Sequence, residues 1–183
     1  MQRIFLIGFM GAGKTSIGKK LSVKMKCSFV DLDRFIERRY HKTIHRIFDE
    51  KGEEVFREIE HKALREVAEF EDVVISTGGG TPCFHQNMMY MNEKGITVYL
   101  KASNDTLINR IKLNISARPL LQDFTDDGLN RFVEETISKR KVFYEQAKIV
   151  FSTEEQNISM DVNSLMKLLK TRESEITGEA GDI

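Results

Sequence analysis

Little in this sequence points away from an ordinary globular protein. It holds only two cysteines, Cys27 and Cys83, and no CxxC pair. That excludes a disulfide framework and a four-ligand zinc centre. The four histidines, His41, His45, His61 and His85, show no ligand spacing with the cysteines. All six therefore read as structural or surface groups, with Cys83 close to a glycine run but not marked as reactive. Charge of one sign is also missing, since 28 Lys and Arg balance 28 Asp and Glu. A zero balance argues against a nucleic-acid or membrane-surface binder, although it leaves room for a local basic pocket. No apolar run approaches the length of a membrane helix. The apolar run at residues 1–7 stops at glycine, short of a signal-peptide core, so the expected location is the cytoplasm.

What remains is 183 residues with 40% hydrophobic and 31% charged content, which suits one soluble domain. Apolar runs at 4–7, 28–32, 73–76, 96–100 and 149–151 read as five strands. Between them the apolar spacing lengthens to that of helices. Ile17, Leu21 and Met25 mark one face, and Val55, Ile59, Ala63 and Val67 mark another. Residues 34–51 suggest two short helices, the second capped by Thr43 and ending before Gly52. Ser103 caps a helix carrying Leu107 and Ile111. Further helices are expected over 88–94, 129–147 and 160–170, whereas 112–128 has no clear period. Continuous apolar strands alternating with helices predict a three-layer α/β/α fold around a five-stranded parallel sheet. There is no internal repeat. The expected domain is 1–171, and the tail at 172–183, without an apolar period, is expected to be disordered.

Gly8-Phe9-Met10-Gly11-Ala12-Gly13-Lys14-Thr15 fits G-x-x-x-x-G-K-[ST], between a predicted strand and a predicted helix. Glycines allow several N–H groups to converge on phosphate oxygens, and the following helix adds its positive end. Gly11, Ala12, Gly13, Lys14, Thr15 and Ser16 are thus the expected ATP-binding residues. Lys14 would reach the β- and γ-phosphates, and the Thr15 hydroxyl would bind Mg²⁺. A plain glycine-rich turn would not need Lys-Thr at its end.

Two further features stand near strand ends, where open parallel sheets bind ligands. Asp31 and Asp33, two apart on an extended segment, point the same way. One would hold the water shell of the metal and the other the acceptor hydroxyl; the bland alternative is that Asp33 caps the next helix. Gly78-Gly79-Gly80 implies either close backbone approach to a ligand or a flexible turn. Arg57 can pair with Glu60, three residues on. Arg140, within Lys139-Arg140-Lys141, and Arg118, in the long connection that suits a lid at about 112–126, complete the set. In isolation Arg57 and Arg140 would be ordinary surface cations.

Taken together, the residues resemble shikimate kinase. The resemblance covers about 1–151 and rests on Gly-x-Met-Gly-Ala-Gly-Lys-Thr (8–15), Asp31-x-Asp33, Phe56-Arg57-x-x-Glu60, Ser76-Thr77-Gly78-Gly79-Gly80, Arg118-Pro119-Leu120-Leu121 and Arg140-x-x-x-Tyr144. It implies transfer of the ATP γ-phosphate to the 3-hydroxyl of shikimate in aromatic amino-acid biosynthesis, with Mg²⁺. It implies that Asp33, Arg57, Gly79 and Arg140 bind shikimate, the two arginines gripping its carboxylate with planar guanidinium groups. Asp33 would orient or deprotonate the acceptor hydroxyl. Lys14 and Arg118 would offset charge on the transferring group, Arg118 from a lid. Thr15 and, through water, Asp31 would hold the metal. The expected enzyme is a cytoplasmic monomer with no nucleic-acid or membrane partner. Where family members often carry Asp-Thr after the last strand, this chain reads Ser152-Thr153, which leaves the adenine contacts unassigned. Two rivals stand beside this reading: another P-loop kinase of the gluconate or nucleoside monophosphate type, and a nucleotide-binding regulator without turnover. The triple glycine and the Arg57–Glu60 motif favour the first reading over the one rival, and the presence of Lys14, Asp33 and Arg118 favours it over the other.

Overall fold

The central strand β1 (Arg3–Ile7) is buried on both sides, and the rest of the fold follows from covering it. A computed structural model describes residues 2–113, 124–154 and 158–177, with side chains as far as residue 172. β2 (Ser28–Asp31), β3 (Val73–Ser76), β4 (Ile96–Lys101) and β5 (Ile149–Ser152) join β1 in one parallel sheet of order β2-β3-β1-β4-β5. The helices are α1 (Lys14–Met25), α2 (Leu32–Tyr40), α3 (Ile44–Val67), α4 (Asn87–Lys94), α5 (Asn104–Lys112), α6 (Asp126–Tyr144) and α7 (Ile158–Thr177).

Because strand side chains alternate, β1 feeds two cores. Ile4 and Leu6 pack with Val74, Val98 and Leu100 beneath α1, α5, α6 and α7. Phe5 and Ile7 pack with Val73 and Ile75 against α2, α3 and α4. Each fully buried side chain of this kind contributes about 1.5–3 kcal/mol, so a charge at Phe5 or Leu6 would disrupt one layer. The result is the expected three-layer α/β/α domain. No described helix is long and apolar enough to cross a membrane.

Several boundaries, and the buried face of α3, differ from the sequence expectations. β2 ends at Asp31, and Asp33 lies in the first turn of α2 with Asp31 as its N-cap. On α3 the buried stripe runs through Phe56 (2% exposed) and Leu64, whereas Val55 is 44% exposed. The non-helical Gly52 (φ 78°, ψ 170°) breaks the helical run where a stop was expected, and it resets the phase of the stripe. α6 begins three residues early, at Asp126, because the Thr125 side chain caps the N–H of Gly128. That start carries no apolar signal. α7 continues to Thr177, past the 171 boundary.

Candidate active site

The winding of the sheet reverses at β1. The chain leaves β1 toward β2, then crosses back from β3 to β4 on the other side. Ligand sites in such sheets form beyond the strand carboxyl ends, and the phosphate loop, Asp31 and the triple glycine stand at the carboxyl ends of β1, β2 and β3.

The phosphate loop links β1 to α1. Gly8 adopts φ 138°, and a Cβ there would come within 2.6 Å of the Leu100 carbonyl oxygen, so the loop must begin with glycine. The loop opens on a cleft of about 550 Å³ lined by Gly11 to Ser16, by Asp31 and Asp33, and by Ser76 and Thr77. Lys14 folds back across the loop, its Nζ donating to the carbonyls of Gly8 (2.8 Å) and Phe9 (3.0 Å). Thr15 Oγ1 donates to Asp31 Oδ2 at 2.8 Å. The second Asp31 oxygen accepts from the Arg34 N–H, which is the α2 cap. The capping role weighed for Asp33 therefore falls to Asp31. The two aspartates do not share an extended segment, yet both reach the cleft, because α2 turns Leu32 into the core between them.

Arg57, Glu60 and the triple glycine form a second wall beside this cleft. Glu60 is 1% exposed; its Oε2 accepts from Arg57 Nη1 (2.8 Å) and its Oε1 from Thr81 Oγ1 (2.6 Å). Arg57 is buried too, stacked 4.2 Å over the Phe84 ring, with Nε and Nη2 donating to Glu53. The pairing is thus internal rather than a surface ion pair. Each glycine of the run is pressed by a different site residue. A Cβ on Gly78 would lie 2.9 Å from Asp33 Oδ1 and 2.8 Å from Glu60 Oε1. One on Gly79 would lie 3.3 Å from Arg140 Nη1, and one on Gly80 would lie 2.7 Å from Arg57 Nη1. The same Gly79 position is 3.6 Å from the Gly8 carbonyl oxygen, which ties this wall to the phosphate loop. Asp33, Arg140 and Arg57 therefore line up along one side-chain-free strip of backbone. Arg140 is half-buried, while its neighbours Lys139 and Lys141 are exposed. It stands beside Tyr144, whose hydroxyl donates to the Gly79 carbonyl at 2.6 Å.

The charges here interact. Burial pushes the Asp33 carboxyl up to about 7, the nearby Glu60 and Asp31 adding to the effect and Lys14 opposing it. Burial also raises the Cys83 thiol, partly offset by Arg140 and Arg57. Cys83 therefore borders the site as a protonated, unreactive group. Two oxygen donors, Thr15 and Asp31, stand together at the loop end. They suit Mg²⁺, which prefers oxygen ligands and keeps much of its water and phosphate shell. Among the described residues, no cluster of His, Cys, Asp and Glu forms a separate metal cage.

Several site residues carried no assigned role in the sequence reading. Arg110 reaches the carbonyls of Gly11 and Thr153 and lines the cleft; Thr153, buried, bonds to the Ala12 carbonyl at 3.3 Å. Only the return of β5 beside β4 brings these two to the loop. Glu60 was visible as the i+3 partner of Arg57, but its burial was not. Arg118 and most of the expected lid at 112–126 lie outside the described residues.

Comparison with known proteins gives a consistent result. The family model described as shikimate kinase matches residues 10–170. A shikimate kinase of Parabacteroides distasonis is 51% identical over 173 residues, covering 92% of this chain and 100% of that protein. The crystal structure of shikimate kinase from Bacteroides thetaiotaomicron superposes with a TM-score of 0.90 at 47% identity, covering 92% of this chain and 98% of the other. Shikimate kinase from Acinetobacter baumannii in complex with shikimate superposes with a TM-score of 0.86 at 29% identity, covering 94% of each.

Proposed function

The chain belongs to the shikimate kinase family, and we propose that it transfers the γ-phosphate of ATP to the 3-hydroxyl of shikimate, giving shikimate 3-phosphate and ADP for aromatic amino-acid biosynthesis. The observation that carries the residue assignment is the glycine strip. It sets one carboxylate, Asp33, and two guanidinium groups, Arg140 and Arg57, in a row beside the phosphate loop.

In this reading the two arginines take the carboxylate of shikimate, each offering planar N–H groups. Gly79 lets the ring lie against backbone. That fixes the far end of a rigid ring and directs its 3-hydroxyl toward Asp33. Asp33 accepts the hydroxyl proton as the oxygen attacks phosphorus; its raised proton affinity suits that task near neutral pH. The loop N–H groups of Gly11 to Ser16 hold the phosphates, and Lys14 gives up a loop carbonyl to follow the transferring group. Arg118 adds a second cation there. Thr15 and, through water, Asp31 would hold Mg²⁺, which would supply charge neutralisation to the phosphates. Positioning of two reactants in one cleft and fixed cations around the moving charge account for the catalysis.

The test is an ADP-release assay with shikimate, quinate and gluconate as acceptors. Shikimate should turn over; folded protein that binds ATP and leaves shikimate untouched would end this reading in favour of a non-catalytic regulator, and turnover of gluconate alone would favour the other P-loop kinase. Arg57→Ala or Arg140→Ala should each raise KM for shikimate roughly ten- to a hundredfold, the loss of one charge-assisted contact, with KM for ATP nearly unchanged.

A further inference from the structure

The short 3₁₀ turn at Thr81–Cys83 follows the glycine strip and is tied to α3 by an internal set of polar contacts. Thr81 and Asn87 are fully buried, and neither lines the cleft at the phosphate loop. Thr81 donates its hydroxyl to Glu60 Oε1 at 2.6 Å. Asn87 Nδ2 donates to the Thr81 carbonyl at 3.0 Å, which turns Asn87 Oδ1 toward His61 Nδ1 at 2.9 Å. That nitrogen must then carry the hydrogen. Consecutive residues of α3, Glu60 and His61, thus clamp the turn from two sides, one through the Thr81 side chain and one through its backbone.

A buried polar chain of this kind gives directionality that an apolar contact would not. Its end point is Arg57. The guanidinium has five N–H groups. Nε and Nη2 each give one to Glu53, and Nη1 gives one to Glu60 Oε2. One N–H on each terminal nitrogen remains. Glu60 touches Arg57 through Oε2 alone because Oε1 is held by Thr81. A carboxylate released at Oε1 would be free to rotate onto the guanidinium and accept two N–H groups side by side, the arrangement that arginine and carboxylate prefer.

We propose that Thr81 is a positioning residue for the acceptor: its hydroxyl restricts Glu60 to a single N–H of Arg57 and so keeps the remaining N–H groups for the substrate carboxylate, with Asn87 and His61 holding the turn that presents it. This rests on the assignment of Arg57 to the shikimate carboxylate.

The experiment measures KM for shikimate and for ATP, and kcat, in Thr81→Val, Thr81→Ala and Thr81→Ser, each alone and with Arg57→Ala. Thr81→Val, which keeps the shape and removes the donor, is expected to raise KM for shikimate on the order of tenfold, as befits a hydrogen bond to a charged group. KM for ATP should stay within about twofold, since neither Thr81 nor Asn87 lines the cleft at the phosphate loop. Thr81→Ser should restore the wild-type KM. With Arg57→Ala already present, Thr81→Val should add nothing, because its route is gone. A wild-type KM for shikimate in folded Thr81→Val overturns the proposal. So does a parallel rise in both KM values, an equal further rise on top of Arg57→Ala, or loss of the fold in both Thr81→Val and Thr81→Ala, which would assign the hydroxyl to folding. Arg57→Ala with an unchanged KM for shikimate would instead remove the reading of Arg57 itself.

Discussion

Substituting Gly80 by alanine separates the cost of a methyl group to folding from its cost to binding. Gly80 has φ −90° and ψ −19°, a conformation open to any L residue, so the backbone does not require glycine there. A new Cβ would instead stand 2.7, 2.8 and 2.9 Å from Nη1, Nη2 and Cζ of Arg57. All three approaches are closer than packed atoms tolerate, so the guanidinium must move. It cannot sink deeper, because the Phe84 ring lies 4.2 Å beneath it. It must therefore swing away from Glu60 or from the strip. Losing the charge-assisted contact to Glu60 costs about 1.5–3 kcal/mol, and the alanine returns about 0.4–1 kcal/mol by restricting the unfolded chain. The net loss of about 0.5–2.6 kcal/mol should lower Tm by about 1–10 °C in a domain this size. Binding should suffer more selectively. KM for shikimate should rise roughly ten- to a hundredfold, while KM for ATP stays within about twofold. Gly79→Ala meets Arg140 at a gentler 3.3 Å and should have a smaller effect. Steady-state kinetics with each substrate varied in turn, beside thermal melts, would decide the matter. Gly80→Ala with wild-type KM for shikimate, or with both KM values raised alike, would refute the argument that the strip is glycine because the site residues press on it.

Asp33 gives a pH test. Its carboxyl is raised to about 7 in the folded protein, so between the ordinary carboxylate range and about 7 the folded state holds a proton that the unfolded state has lost. Wild-type stability should therefore fall as pH rises through that window. Asp33→Asn, with no proton to lose, should gain on wild type by on the order of 2 kcal/mol between about pH 5 and pH 8; a pH-independent difference in Tm would contradict this. With Asp33 as the proton acceptor, kcat/KM for shikimate should climb with pH up to about 7 in wild type. Lys14→Ala should abolish turnover and leave the melting temperature within a few degrees, since its ammonium faces the loop rather than the core; retained kcat would remove it from the mechanism. Tyr144→Phe leaves the Gly79 carbonyl without its 2.6 Å donor and should cost about 1–2 kcal/mol, with a moderate rise in KM for shikimate through Arg140; an unchanged melt and KM would show the hydroxyl to be idle.

The sequence by itself determined the sheet, the phosphate loop and the identity of the acceptor side. Five apolar runs broken by helical spacing can be covered only by helices on both faces, and G-x-x-x-x-G-K-T is a local motif whose geometry is complete within eight residues. Arg57 and Glu60 were legible for the same reason, being one helical turn apart. Tertiary structure decided what depends on approach between distant segments. That Glu60 is buried, that Thr81 occupies its second oxygen, and that Arg110 and Thr153 meet behind the loop all require strands far apart in sequence to become neighbours. The helix cap fell to Asp31 rather than Asp33 because β2 stops one residue early, a choice settled by pairing with β3 and not by the two aspartates themselves. The meaning of Gly78-Gly79-Gly80 changed most. From sequence the run suggested room for a ligand; folded, it is a stretch of backbone that Asp33, Arg140 and Arg57 all approach at once, because only glycine leaves the space their side chains fill.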